Sequence, residues 1–184
     1  MKTVMLKLAR ESIQSHFRHK RIVSSSILEE YPELEKQGAS FVTLTKKGKL
    51  RGCIGSIIAH RTLFDDIISN AKSAAFNDPR FPPLSEDEFA QIRIEVSILT
   101  QPKSLDYTNK DDLKEKITMG VDGVILKSGY QQATFLPQVW EELNNFELFF
   151  SHLCNKAGLG GECLQLHPEI SVYQVEKVKE NDFL

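Results

Sequence analysis

Long hydrophobic runs are missing from this 184-residue chain; none exceeds three residues, as in Val4-Met5-Leu6, Ala74-Ala75-Phe76, Val124-Ile125-Leu126 and Leu148-Phe149-Phe150. A membrane-spanning helix needs about 20 successive apolar residues, so no segment qualifies. The N-terminal MKTVMLKLAR has no uninterrupted apolar stretch before a small-residue cleavage site, and a cytoplasmic protein is the simplest expectation. Charge of one sign is equally scarce, with 23 Lys+Arg against 25 Asp+Glu. Broad nucleic-acid binding requires many cations to displace counterions from phosphate, which argues against it here, although a local basic patch is still allowed. Cysteine is sparse and odd in number, at three: Cys53, Cys154 and Cys163. That count excludes a disulfide scaffold and fits free thiols in a reducing compartment; at most one disulfide could form, between partners the sequence does not identify. Internal repeats and low-complexity tracts are absent as well.

What remains is the arithmetic of one ordinary soluble domain, 41% hydrophobic and 26% charged. A chain of this length buries roughly 70% of its extended surface and needs no staples. The expectation is a single domain over residues 1–184, with two lobes left open.

The first twenty residues read as a helix, with Met5, Leu8, Ala9, Ser12, Ile13, His16 and Phe17 in one stripe. Residues 21–39 form a connector with a short helical turn around 27–34. From Ala39 the period becomes two, and the turn Lys46-Lys47-Gly48-Lys49 predicts a hairpin. Thr62 is placed to cap a helix carrying Leu63, Phe64, Ile67, Ile68, Ala71, Ala74 and Ala75. Asn77 to Leu84 contains three prolines and cannot be regular helix; Ser85 with Glu88 matches a capping box. Ile92, Ile94, Val96 and Ile98 alternate with polar residues, the clearest half-buried strand. Further on, the pattern predicts a helix from Asn109 to Ile117, a hairpin at 121–135, a short helix near 139–143, and another from Phe146 to Ala157 ended by Gly158. A single last strand is expected over 170–178. Strands arranged in hairpins favour an α+β fold, an antiparallel sheet flanked by helices.

Leu50-Arg51-Gly52-Cys53-Ile54-Gly55 is the most unusual segment. Glycines inside a strand let a backbone or ligand approach closely, and their neighbouring N–H groups could cradle an oxyanion. Arg51 would favour the thiolate of Cys53, the nucleophilic form. Against this stands the common fate of free cysteine as a small buried hydrophobe. His60 or His152 would have to reach Cys53 through space.

LRGCIG, DPRFPPL at Asp78–Leu84, IEVSIL at Ile94–Leu99, TFLPQVW at Thr134–Trp140 and KAGL at Lys156–Leu159 occur in an order that resembles the AMMECR-type domain family, known in microbes as AmmeMemoRadiSam system protein A. The matches span most of the chain from about Ala39. Gly120-Val121-Asp122-Gly123 departs from the family pattern, which has a basic residue and histidine before the second glycine. The resemblance implies a compact α+β protein whose LRGCIG strand faces a cleft between a larger and a smaller lobe. It implies pathway partners, a dioxygenase-like MEMO protein and a radical SAM protein. The matching site positions are Cys53 as the catalytic candidate and Arg51, Gly52, Asp78, Arg80 and Gln138 as substrate contacts. No cofactor or metal is expected.

The residues make chemical sense on their own terms. Arg80 in a proline-held loop could fork onto a carboxylate or phosphate, and Asp78 could hold Arg51 or act as a base; the alternative is an internal Asp–Arg brace. Glu95 reads as a solvated carboxylate on a strand, Thr134 and Gln138 as loop caps, and Trp140 as core. His152, Cys154, Cys163 and His167 are acceptable zinc ligands, but their spacing fits no standard finger. His16, Arg18, His19, Lys20 and Arg21 form a short basic cluster at a helix end. Two functions follow: an enzyme or substrate-handling component acting on a small anionic or carbonyl substrate through Cys53, or a non-catalytic adaptor or ligand-binding module.

Overall fold

The computed structural model describes residues 2–18 and 26–180. It is α+β, and the chain divides into two compact units, one of residues 1–99 with 176–184 and one of residues 100–175. Each has its own buried apolar cluster and its own four-stranded antiparallel sheet. Among the described residues no helix is long and apolar enough to cross a membrane.

The first unit begins with helix α1 (Lys2–Arg18), whose Met5, Leu8, Ala9, Ser12 and Ile13 are buried as the stripe predicts. His16 stacks on Phe76 at 4.0 Å. The basic residues His19, Lys20 and Arg21 of the helix-end cluster lie outside the described residues. A short helix α2 (Ile27–Glu30) and a 3-10 turn (Pro32–Glu35) occupy the expected helical stretch of the connector. The hairpin forms as β1 (Ala39–Lys46) and β2 (Lys49–Gly55). Helix α3 (Leu63–Phe76) is capped by Thr62, whose hydroxyl accepts the Asp65 amide, and packs its alanines on the sheet. The capping box of Ser85 and Glu88 opens the one-turn helix α4 (Glu86–Phe89), and β3 (Ile92–Leu99) pairs with β1 along its whole length. The alternation of β3 reports the core through Ile92, Ile94 and Val96, which are buried, and breaks at the strand's end, where Ile98 is only partly buried and Ser97 and Leu99 are buried.

The second unit holds β4 (Lys103–Ser104), helix α5 (Lys110–Lys116), β5 (Gly123–Ser128), β6 (Gln131–Phe135), a 3-10 turn (Pro137–Glu141), helix α6 (Phe146–Lys156), a second 3-10 turn (Cys163–Leu166) and β7 (Glu169–Tyr173). Gly158 follows α6 at φ +78°, the left-handed position that ends a helix. Trp140 is buried and stacks on Phe149 with centroids 3.6 Å apart, as a core tryptophan should.

Two expectations about this region are corrected. The single strand over 170–178 is two strands: β7 ends at Tyr173 and β8 (Val175–Lys179) belongs to the sheet of the first unit, in the order β2-β1-β3-β8. No proline or glycine marks the break, and apolar residues (Ile170, Val172, Tyr173, Val175 and Val178) recur on both sides of it. Cys154 and Cys163 are not free thiols; they form a disulfide with an S–S length of 2.07 Å. The two cysteines stand nine positions apart, one near the end of α6 and one in the 3-10 turn that follows, and the return of the chain after α6 brings their sulfurs together. With both cysteines so engaged the zinc reading falls, and among the described residues no group of three His, Cys, Asp or Glu side chains could hold a metal.

Candidate functional site around Cys53

The register of β1 against β2 explains the LRGCIG segment residue by residue. Leu44 pairs with Gly52 and Thr45 with Leu50, so Arg51 is the extra residue of a β-bulge. A bulge re-aims the side chain it carries. Arg51 is buried, its Nε and Nη2 forking onto the Glu88 carboxylate at 3.2 and 2.8 Å, with Nη2 also donating to the Pro82 carbonyl. Its Nη1 alone, among buried side-chain nitrogens and oxygens of the described residues, makes no hydrogen bond. Arg51 therefore spends its charge on Glu88, whose pKa its guanidinium, aided by the Lys46 ammonium, depresses to about 2.

Gly52 faces α3: a Cβ there would stand 2.1 Å from the Ala74 carbonyl oxygen. Gly55 lies under the Phe41 ring, which a Cβ would meet at 2.2 Å. Both glycines are demanded by packing, Gly52 by a close helix-to-strand approach and Gly55 by an aromatic cover. Ile54 packs against the core of the first unit.

Cys53 points to the other face of the sheet. Its cross-strand partner is Thr43, whose hydroxyl lies 3.3 Å from Sγ, and Thr43 in turn pairs with Glu95 on β3. Successive strands lie about 4.8 Å apart, so Cys53, Thr43 and Glu95 form a row across three strands. Glu95 is not simply solvated: Lys179 of β8 reaches its Oε2 at 2.8 Å, and its side chain is 19% exposed. Cys53 is half-buried and is the one free cysteine of the chain.

The peptide of Cys53 is clamped on both sides by the proline-held loop. Asp78 Oδ2 accepts the Cys53 amide at 2.9 Å, and Arg80 Nη2 donates to the Cys53 carbonyl at 3.1 Å. Arg80 also donates to Asp78 through Nε and Nη2, at 2.9 and 2.7 Å, and through its backbone amide at 3.1 Å. Asp78 is buried, and the hydrogen-bonded Arg80 guanidinium holds its carboxyl well below the usual carboxylate range. The Asp–Arg brace is thus present, between Asp78 and Arg80; Asp78 holds Arg80 and not Arg51. An oxyanion cradle built on the Cys53 amide is ruled out by the same bond, because Asp78 already takes that donor. Arg80 keeps 53% of its side chain exposed beside the cysteine.

His60 bonds the Ile58 carbonyl through Nδ1, and His152 belongs to the second unit. Gln138 also belongs to the second unit, in the 3-10 turn after β6. Thr134 lies within β6, buried against the Tyr173 hydroxyl at 3.2 Å and not capping a loop. In the G-x-x-G segment Asp122 accepts the Thr118 amide and Gly123 lies against the Tyr173 ring, both packing roles.

One polar cluster escaped sequence reading. Asp66, fully buried on α3, accepts from the Ser40 amide and hydroxyl, the Ser56 hydroxyl, Arg61 Nε and Asn70 Nδ2, all between 2.7 and 2.9 Å. This satisfied carboxylate ties α3 to β1 and to the residue that follows LRGCIG. Its helical spacing to Asn70 is a weak signal, and its other partners come from distant segments.

The AMMECR1 family model matches residues 6–178. A protein of Methanosarcina barkeri is 40% identical over 180 residues, covering 96% of this chain and 89% of its own length. A protein of Saccharolobus solfataricus is 39% identical over 170 residues, covering 87% of this chain and 72% of its own length. The crystal structure of an uncharacterised protein from Pyrococcus horikoshii superposes with a TM-score of 0.81 at 31% identity, covering 98% of this chain and 91% of that one.

Proposed function

The chain belongs to the AMMECR1 family, and we propose that it is a thiol-dependent enzyme, or the substrate-handling component of a modification pathway, with Cys53 as its reactive group. The observation that carries this reading is the setting of the chain's one free thiol: half-buried on a sheet face, beside a hydroxyl, with its peptide clamped by Asp78 and Arg80. Clamping fixes the direction of Sγ, so an incoming group meets an oriented nucleophile.

A small carbonyl substrate would be attacked at carbon by Cys53 Sγ. The C=O electron pair moves to oxygen, and the thiol proton passes to the Thr43 hydroxyl, which releases its own to solvent. The Arg80 guanidinium, already bonded to the Cys53 carbonyl, stabilises the charge that develops. An anionic substrate group would find the Arg80 guanidinium exposed beside the cysteine. The pathway form of the proposal takes MEMO-like and radical SAM proteins as the partners that supply or consume the substrate.

A second reading is an adaptor or ligand-binding module acting with the same partners. What favours it is that Gly52, Gly55 and Arg51 each have a packing or ion-pairing reason to be where they are. Metabolite profiling and partner pull-down with the wild type and Cys53→Ala separate the two. Loss of a small-molecule product with partners retained supports catalysis. Loss of partners with the product unchanged supports the adaptor.

A further inference from the structure

The disulfide of the second unit lies beside a pocket. Cys154, on α6, and Cys163, at the start of the following 3-10 turn, are 0% and 1% exposed. The same two segments line a pocket of about 550 Å³ through Phe150 and Ser151 on one side and Gly161, Glu162, Leu164 and Gln165 on the other. That volume is in the range of small-molecule sites. The wall formed by residues 158–167 is anchored at its ends. Leu159 donates to the Cys154 carbonyl at 3.0 Å, and His167 stacks on Tyr107 at 4.3 Å. Between these anchors the backbone bonds are internal to the turn, Gln165 to Glu162 and His167 to Leu164. Gly158, Gly160 and His167 all have positive φ, so the segment has little regular structure of its own. At its middle the turn is tied to α6 by the disulfide and sits close enough that a Cβ on Gly161 would stand 2.7 Å from Ser151 Oγ.

We propose that the Cys154–Cys163 disulfide is a redox clasp on this pocket. Oxidised, it holds the 158–167 wall against α6; reduced, the wall opens and the pocket loses its shape. The reductant is a dithiol. One of its thiolates attacks a sulfur of the pair, forming a mixed disulfide and expelling the other cysteine as a thiolate that takes a proton. The second thiol of the reductant then resolves the mixed disulfide, leaving two cysteine thiols and an oxidised reductant. Because both sulfurs are buried, the attack waits on local opening of the turn. Closing a loop of this size confers up to a hundredfold on the closed state in the chain-entropy account. This inference is independent of the role of Cys53.

The test is amide hydrogen exchange of the full chain, oxidised and after dithiothreitol treatment, with thiols mapped by mass spectrometry. Exchange at Leu159, Gln165 and His167 should rise about 10- to 100-fold on reduction, while amides of β1 and β3 stay unchanged. A Cys154→Ala/Cys163→Ala double variant should exchange like the reduced protein with or without dithiothreitol. Exchange equal in both redox states, oxidised-like protection in the double variant, or free Cys154 and Cys163 in protein purified without reductant each overturn the proposal.

Discussion

Asp78 accepts the backbone amide of Cys53 at 2.9 Å, so the carboxylate of a proline-rich loop governs how the cysteine-bearing strand is presented. Arg80 closes the clamp from the carbonyl side, and its own charge is held by Asp78. The site is therefore a braced strand with one outward thiol.

Asp78→Asn removes the charge that Arg80 and the Cys53 amide both use. The carboxylate is buried while Arg80 is half-exposed and can turn to water, so the cost should be about 1–3 kcal/mol. Arg80→Ala should cost at least as much, because it leaves the buried Asp78 carboxylate without its counter-charge. Urea unfolding followed by far-UV circular dichroism measures both; Trp140 fluorescence is unsuitable, since that residue reports on the second unit.

Acid should weaken the first unit through Asp78 and Glu88. Both carboxyls have lower pKa values folded than unfolded, Glu88 falling to about 2 under Arg51 and Lys46. A lowered folded pKa contributes stability that is complete above the unfolded value, near pH 4.5, and is lost as pH falls towards the folded one. Stability should thus be flat from pH 7 to about 5 and decline from there towards pH 2. Glu88→Gln should flatten part of that decline, by about 1–2 kcal/mol after allowance for its solvent exposure. Unfolding free energies measured across that range supply the comparison.

Gly52→Ala should destabilise without touching the thiol chemistry directly. Its methyl would stand 2.1 Å from a backbone oxygen of α3, and a helix backbone cannot yield as a side-chain tip can. A loss of about 3 kcal/mol or more is expected, at the upper end of overpacking costs. A Gly48→Ala control, where a Cβ meets nothing within 4 Å but φ is +76°, should cost only the backbone strain of about 1 kcal/mol. Thermal melts of the two variants decide it.

The elements governed by local chemistry were legible in the sequence: the α1 stripe, the Thr62 and Ser85–Glu88 caps, the hairpin turn and the alternation of β3 all follow from neighbours within a few residues. What stands across from a residue was not. Gly52 and Gly55 invite a ligand-cradle reading until Ala74 and Phe41 are seen to fill the space. Arg51 looks like a companion of Cys53, but the bulge, which depends on the register with β1, sends it to Glu88. The Cys154–Cys163 disulfide and the change of sheet at Gln174 arise from tertiary returns of the chain that leave no local mark. Asp78, Arg80 and Cys53 could be grouped through the family resemblance; the reason for the grouping, a clamp on the Cys53 peptide, belongs to the fold.

The central claim is that Cys53 is an oriented, reactive thiol. Its most direct test is the second-order alkylation rate of Cys53 by iodoacetamide at pH 7, read by peptide mass spectrometry on the disulfide-intact protein against an unstructured peptide thiol. The account predicts a rate for Cys53 at least several-fold above the peptide despite its partial burial, and a fall towards the peptide rate in Arg80→Ala. A wild-type rate equal to or below that of the peptide contradicts it.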